Sequence, residues 1–424
     1  MGAPAMTSTA TAIDLSSVNL KDSRLFLRAP PHDLFDALRA AAPVHWNATP
    51  DGPGFWNLTR YHDVLRVSTD PKTFSSARAN GGHRIFDEND VASDAVETSM
   101  ISMDPPEHLD HRRVMMPGFT PNRLAEMEAG IRARGVALID TMIARYVDQA
   151  RAPIDIVENF AAPFAIQTLA ELFGVSMQDG DKLFEWSNAV VAEEDPELRP
   201  SQAYIDQKIM EMVQYSFALR EDRQANPGPD LISMLARAEI GSAPISPGVY
   251  LATFILLVVA GNETTRNSIT GGLIAFDENP DQHAAAMADP SLLRSGASEI
   301  VRWVSPVHHM RRTAMADVEL GGQRIRAGDR VVMWYPAANR DPAAFEAPDQ
   351  FRIDRYRNPS APRHLGFGTG QHVCIGQKLA ELQIRIAFEE LFARLPRLKP
   401  TGEQSRVLSN FINGWKRLPV DLGV

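Results

Sequence analysis

The chain has 424 residues, 44% hydrophobic and 23% charged, the proportions of an ordinary globular protein. Lys and Arg number 43 against 53 Asp and Glu, a formal net charge of −10, which argues against nucleic acid or an anionic membrane as a general partner. One cysteine excludes a disulfide framework and fits a reducing compartment.

Residues 1–20 are rich in Ala, Thr and Ser and lack the apolar stretch of a signal peptide. They are expected to be a disordered tail, and the protein to be cytoplasmic. Length alone suggests two or three domains, yet no break splits residues 21–424. Pro43 to Thr59 predicts a hairpin around a Thr-Pro-Asp-Gly-Pro-Gly turn. Gly81 to Thr98 is polar and irregular, and a mobile loop is expected there. Amphipathic stretches near 119–150, 161–174, 177–190 and 202–225 predict helices. Ser246-Pro247 is an N-cap followed by Pro at the first helical position. The helix it opens runs to about Asn279, roughly 50 Å at 1.5 Å per residue. Its most apolar run, Leu251 to Gly261, is too short to cross a bilayer. Another helix is expected from Pro290 to Val304, then short strands between Arg311 and Tyr335. Many helices with small peripheral sheets make a mainly α fold, one large domain with a long central helix.

The lone thiol sits in Phe367-Gly368-Thr369-Gly370-Gln371-His372-Val373-Cys374-Ile375-Gly376. One sulfur cannot close the usual zinc site or hold an iron–sulfur cluster. It can ligate a single haem iron and push electron density onto it. Gly368, Gly370 and Gly376 let backbone lie close to a flat macrocycle. The apolar helix that follows would turn its positive end toward the sulfur and favour the thiolate. A buried structural cysteine and a cysteine hydrolase are the alternatives. His372 is near, but no base and orienting partner stand out for the latter.

The long helix contains Ala260-Gly261-Asn262-Glu263-Thr264-Thr265. Mid-helix Gly is about 1 kcal/mol worse than Ala, and Thr is a weak helix former. Ala260 and Gly261 leave room for something flat or diatomic. The Thr264 hydroxyl can bend the helix and offer a proton, and Glu263 can relay protons from solvent. The competing reading is a helix kink with a solvated Glu.

The cysteine segment closely resembles the haem-binding loop of the cytochrome P450 family, Phe-Gly-x-Gly-x-His-x-Cys-x-Gly, at every fixed position. The element order resembles that fold over nearly the whole chain. The resemblance implies haem b, with Cys374 as the metal ligand and Ala260, Gly261, Phe367, Gly368 and Gly376 against the cofactor. It implies Glu263 and Thr264 as the catalytic acid–alcohol pair that delivers protons for O2 activation. Glu299 and Arg302 resemble the family's Glu-x-x-Arg pair, and Arg355 stands where a third, structural member completes a buried ion triad. For the haem propionates the resemblance points to His108, Arg112 and His372. The fourth donor is Arg311 or Arg312, and counting back from Asp317 favours Arg312.

By position, Leu256, Leu257, Val307, Phe411 and Ile412 should line the substrate pocket, so the substrate should be an apolar small molecule. Gly261–Ser268, His309–Ala314 and Val331–Tyr335 look most like the bacterial terminal alkane hydroxylases. Fatty chains, terpenoids, steroids and small aromatics stay open. His308 and His309 are expected to face solvent or cap a strand. No flavin or nicotinamide module is seen after Val424. Electrons should therefore come from NAD(P)H through a reductase and a ferredoxin, with Arg113, Arg363 and Lys378 as docking candidates. Glu381 stands where some relatives carry an arginine, and it bears on which ferredoxin is used. A monomeric, ferredoxin-dependent monooxygenase follows. The alternatives are a peroxygenase or isomerase working without ferredoxin, and a gas-binding protein.

Overall fold

The structure, a computed structural model, describes residues 14–50, 52–88, 98–191 and 194–424. Helices dominate, and the sheets are small and peripheral. The long helix spans Pro247–Glu278, 32 residues. The Ser246 hydroxyl accepts from the Val249 N–H at 3.1 Å, so the cap closes as its residue type predicts. By length and apolar composition this helix could cross a bilayer, but it is the core element of the fold. It packs against Ala162–Phe173, Gly180–Val191, Leu293–Val304 and Gln377–Arg394. Gly271 and Gly272 explain how those neighbours come so close. A Cβ on Gly271 would lie 2.8 Å from Val304, and one on Gly272 2.7 Å from Phe388.

The other expected helices form at Pro121–Asp148, Ala162–Phe173, Gly180–Val191 and Gln202–Ala225. Two of their termini show a local cause. The Thr120 hydroxyl caps Pro121–Asp148, and Gly174, at φ 67°, ends Ala162–Phe173. The expected 290–304 segment is a short 3-10 turn running into the helix Leu293–Val304. The hairpin pairs Val44–Asn47 with Phe55–Leu58. It joins Arg330–Trp334 in parallel, then His309–Ala314 and Phe74–Ser75, to make a five-stranded sheet.

Two expectations about loose chain need correction. Residues 14–20 are not part of a free tail: Leu20 is fully buried, and its N–H donates to Asn47 Oδ1 at 2.8 Å. Leu20 packs in one small core with Phe26, Phe35 and Trp334. The rest of the tail, 1–13, lies outside the described residues. The loop from Gly81 is fixed as far as Glu88. The Glu88 carboxylate accepts from the His83 N–H at 2.8 Å, and Ile85 is buried. Residues 89–97 lie outside the described residues.

Candidate active site

The cysteine loop is closed by its own backbone. The Cys374 N–H donates to Phe367 O at 2.9 Å, and the Gly368 N–H to Leu365 O at 2.8 Å. Gly370 has φ 69°, and a Cβ there would lie 2.5 Å from Ser68 O, so both conformation and space demand glycine. The helix Gln377–Arg394 follows directly. Burial pushes the Cys374 thiol above its ordinary value; the Gly376 N–H and the Arg112 guanidinium pull it down, and Glu381 opposes them. A coordinated metal would deprotonate a ligating thiol outright. No base is hydrogen-bonded to this thiol among the described residues.

Cys374 opens into a cavity with an empty volume of about 1520 Å³, its open mouth included. The cysteine loop from Gly366 to Gly376 forms one wall, and the central helix, through Leu256, Leu257, Ala260, Gly261 and Thr264, forms the opposite one. His108, Arg112, Arg312 and His372 share a third side. The sequence reading thus brings together residues from four separate segments.

That third side is a set of donors without an acid. The rings of His108 and His372 lie 4.1 Å apart. His108 Nδ1 and His372 Nε2 are buried without a partner. Burial, helped by the neighbouring arginines, holds His108 down at about 4 and His372 at about 2. Arg312 is buried, and its hydrogen bond goes to Arg311 O at 2.7 Å. No carboxylate is hydrogen-bonded to Arg112 or Arg312 among the described residues. The buried Arg312 guanidinium and the half-buried Arg112 guanidinium, beside two orphaned imidazole nitrogens, fit a ligand with carboxylates. Strand geometry turns Arg312, and not Arg311, toward the cavity. Side chains alternate along His309–Ala314, so Met310 and Arg312 face the cavity. Arg311 turns the other way and donates to Asn80 O, Arg84 O and Phe86 O. The donors, the single sulfur and the flat glycine wall together fit haem b.

On the central helix, the Thr264 hydroxyl donates back to Ala260 O at 2.9 Å, a bond its residue type allows. Glu263 is not beside it. It is 3% exposed, does not line the cavity, and is ion-paired to Arg266. Burial raises its carboxyl above the usual range, opposed by Arg266. The reading of Glu263 as a solvent relay is therefore corrected in its geometry. Ala260, Gly261, Leu256, Leu257 and Val307 line the cavity as expected. Phe411 and Ile412 do not. They stand one layer behind, Ile412 bridged to Val307, and the Arg84 guanidinium covers the Phe411 ring at 3.7 Å. His308 and His309 are corrected too. Both are 1% exposed core residues whose Nδ1 atoms contact Asn410 O at 3.2 and 3.0 Å.

Behind the cysteine loop, Glu299 holds both expected arginines. Arg302 donates to its two oxygens at 2.7 and 2.8 Å, and Arg355 Nε at 3.0 Å. All three are buried. Sequence reasoning missed Leu169, Leu172, Met100, Ile101, Met310 and Tyr335 of the cavity wall. Met310 had a signal, two residues from Arg312 on a strand. The leucines had none to separate them from ordinary core.

The cytochrome P450 family profile matches residues 54–410. The chain belongs to the cytochrome P450 family. This P450 is 43% identical to a linalool 8-monooxygenase of Pseudomonas putida, over 95% of this chain and 98% of the relative. It is 37% identical to a steroid C26-monooxygenase of Mycolicibacterium smegmatis, over 96% and 94%. Among solved structures it is similar to a Mycobacterium marinum cytochrome P450 in complex with pseudoionone. The TM-score is 0.85 at 32% identity, covering 97% of this chain and 99% of that one. Like its relatives, this P450 is a monooxygenase of an apolar small molecule, using haem, O2 and electrons from a redox partner.

Proposed function

We propose that this P450 hydroxylates a C–H bond of an acyclic, methyl-branched, terpenoid-type chain, with Cys374 as the thiolate ligand of haem b. The observation that carries the reading is the substrate end of the cavity. Leu169, Leu172, Leu256, Leu257, Val307 and Met310 surround it, with no charged side chain on that wall among the described residues. Such a wall rewards apolar shape and gives no anchor to a polar ring substituent. Similarity to the linalool 8-monooxygenase, and to a structure containing pseudoionone, supports a branched acyclic chain over a straight alkane.

When bound, haem supplies O2 activation and insertion of one oxygen atom into the substrate. The protein's own parts do the rest. His108, Arg112, Arg312 and His372 bind the propionates and fix the plane of the cofactor. The leucines exclude water and press the chain toward the sulfur side. Thr264 holds a proton on the cavity face, and Glu263 behind it supplies the next one. In this reading NAD(P)H electrons arrive through a reductase and a ferredoxin. The ferredoxin docks where Arg113, Arg363 and Lys378 are exposed. The enzyme works as a cytoplasmic monomer.

The test is a spectral titration of the ferric protein with acyclic terpenoid alcohols, straight-chain alkanes and steroids. The largest low-to-high-spin shift is expected from the acyclic terpenoids. A shift confined to steroids or to straight chains would sink the branched-chain reading. NADH consumption with ferredoxin and reductase present, dependent on the same compound, tests the electron route. Product formed only with added peroxide would replace it.

A further inference from the structure

We infer that Glu381 is a positioning residue for electron transfer, acting through Cys374: its fixed negative charge sets the reduction potential of the haem. The inference rests on the proposed role of Cys374 as thiolate ligand. Its basis is where the carboxylate is held. The helix Gln377–Arg394 follows Cys374, and Leu379, Ala380 and Gln383 on it line the cavity. Glu381 is roughly 100° round from Ala380 and does not line the cavity. Gln377 Nε2 donates to its carboxylate at 3.1 Å and Lys378 Nζ at 2.8 Å, both from the same helix. Ser298 Oγ donates at 3.0 Å from Leu293–Val304, the helix that carries Glu299 and Arg302. The carboxylate is therefore tied between the helix that follows the cysteine and the helix of the ion triad.

A buried charge persists only where it is paired and hydrogen-bonded. Burial raises the Glu381 carboxyl, but the bonds from Lys378, Gln377 and Ser298 hold it below the usual carboxylate range, so the charge is present at neutral pH. The Glu381 side chain is 15% exposed and that of Lys378 73%, so water screens the cation more than the anion. The pair therefore does not cancel toward the protein interior. Burial dominates at both Cys374 and His364; over it, Glu381 pulls each toward its more positive form, the thiol and the imidazolium. His364 is buried, and its ring lies 5.3 Å from Phe367 of the cysteine loop. The field of Glu381 thus reaches the loop at two places. Reduction moves one electron from the redox partner to the ferric iron, with no bond made or broken at Glu381. The ferrous site carries one more negative charge than the ferric one, so a nearby anion disfavours it. Glu381 holds the potential down, and Arg112, which lines the cavity, acts the other way.

The experiment is a redox titration of the haem-loaded enzyme with dithionite and mediator dyes. Ferredoxin is left out, so that docking at Lys378 cannot contribute. Wild type is compared with Glu381→Gln, Glu381→Asp, Lys378→Gln and Gln377→Lys. Glu381→Gln keeps the shape and can still meet Ser298, but it loses the charge. At a fixed poise its ferrous-to-ferric ratio should rise about three- to tenfold, tenfold being about 59 mV for one electron. Glu381→Asp keeps the charge and should stay close to wild type. Lys378→Gln strips the screened cation and should lower the ratio, by less than Glu381→Gln raises it. Opposite signs are the signature of a charge, since a packing defect has no reason to reverse with the sign of the residue removed. An unchanged ratio in Glu381→Gln, a shift of the same size in Glu381→Asp, or a rise in Lys378→Gln overturns the role. Gln377→Lys leaves Glu381 in place and sets a second cation one turn from it. It should raise the ratio, and it carries the test if Glu381→Gln does not hold haem; an unchanged or lower ratio there overturns the role. A wild-type carbon monoxide adduct without the red-shifted Soret band would instead overturn the underlying reading of Cys374.

Discussion

Glu299 and Glu263 are both buried in helices, and both pair with an arginine three residues on. Glu299 accepts from Arg302 Nε and Nη2, from Arg355 Nε and from the Arg352 N–H at 2.8 Å. Its arginines spend their other donors on the carbonyls of Asn339, Glu346, Ala347, Pro348 and Gln350. Glu263 has Arg266 alone, and one of its oxygens is unbonded. The same residue pair is a fixed anchor behind the cysteine and an incomplete contact across the cavity from it. Saturation of hydrogen bonds, not burial or charge, separates the two pairs.

The largest effects should come from the holding side. Cys374→Ser should lose the red-shifted Soret band of the reduced carbon monoxide adduct and all product formation. A red-shifted band that survives would remove Cys374 as the ligand. Glu299→Gln leaves two buried guanidiniums facing a neutral amide. A loss of about 3–5 kcal/mol is expected. It should be read as a lower unfolding temperature together with haem that washes out. Retention of both would make the triad a surface-like pair in energetic terms.

On the incomplete side, stability and function should part. Thr264→Ala removes a hydroxyl already bonded to Ala260 O and improves helix propensity by roughly 0.5 kcal/mol. Haem content and melting should survive. Product per NADH should fall by about tenfold or more as peroxide rises. Measuring NADH, product and peroxide together decides it, and unchanged product per NADH reduces Thr264 to packing.

The two sides also differ in how far they could be read from residues alone. The cysteine loop and the Glu299–Arg302 pair rest on a local turn and on one helix face, whereas Arg355 and the propionate donors lie on separate segments and came from the family resemblance. The choice of Arg312 over Arg311 needed the strand, since a one-residue slip turns a side chain to the opposite face. Phe411 and Ile412 were placed in the pocket by chain position, and the Val307–Ile412 bridge puts them behind it. Leu169 and Leu172 escaped notice because cavity-facing and core-facing leucines carry the same periodic signal. Glu263 was assigned to solvent because nothing in its spacing tells that Asn188 and Phe184 reach its partner Arg266 from another helix.

His308 extends the distinction to a base. Its Nδ1 contacts Asn410 O and its Nε2 has no partner. Burial, with Arg406 nearby, holds it down at about 3. The folded value lies below the unfolded value near 6.5, so the unfolded chain takes the proton first. Stability is complete above pH 6.5 and declines as pH falls toward 3. At pH 5 this one residue should cost about 2 kcal/mol. Melting at pH 7 and pH 5 checks it, and His308→Asn should narrow the difference between the two.

The smallest expected effect is at Gly261, where the two demands meet in one residue. A Cβ there would lie 3.0 Å from Leu169 Cδ1, tighter than ordinary contact by a few tenths of an ångström. Gly261→Ala should add about 1 kcal/mol of helix stability. The crowding should take part of that back, because Leu169 ends in a flexible methyl with the cavity on its far side. Net melting should therefore change by less than about 1 kcal/mol. Leu169 can make way only by turning into the substrate space. One methyl of lost volume in an apolar pocket is worth about 1–3 kcal/mol of discrimination. The spin-shift dissociation constant for a branched chain should then rise by about tenfold, and that for a slimmer straight chain should rise less. Equal weakening of both would mean that Leu169 does not shape the pocket, and that Gly261 serves the helix contact alone.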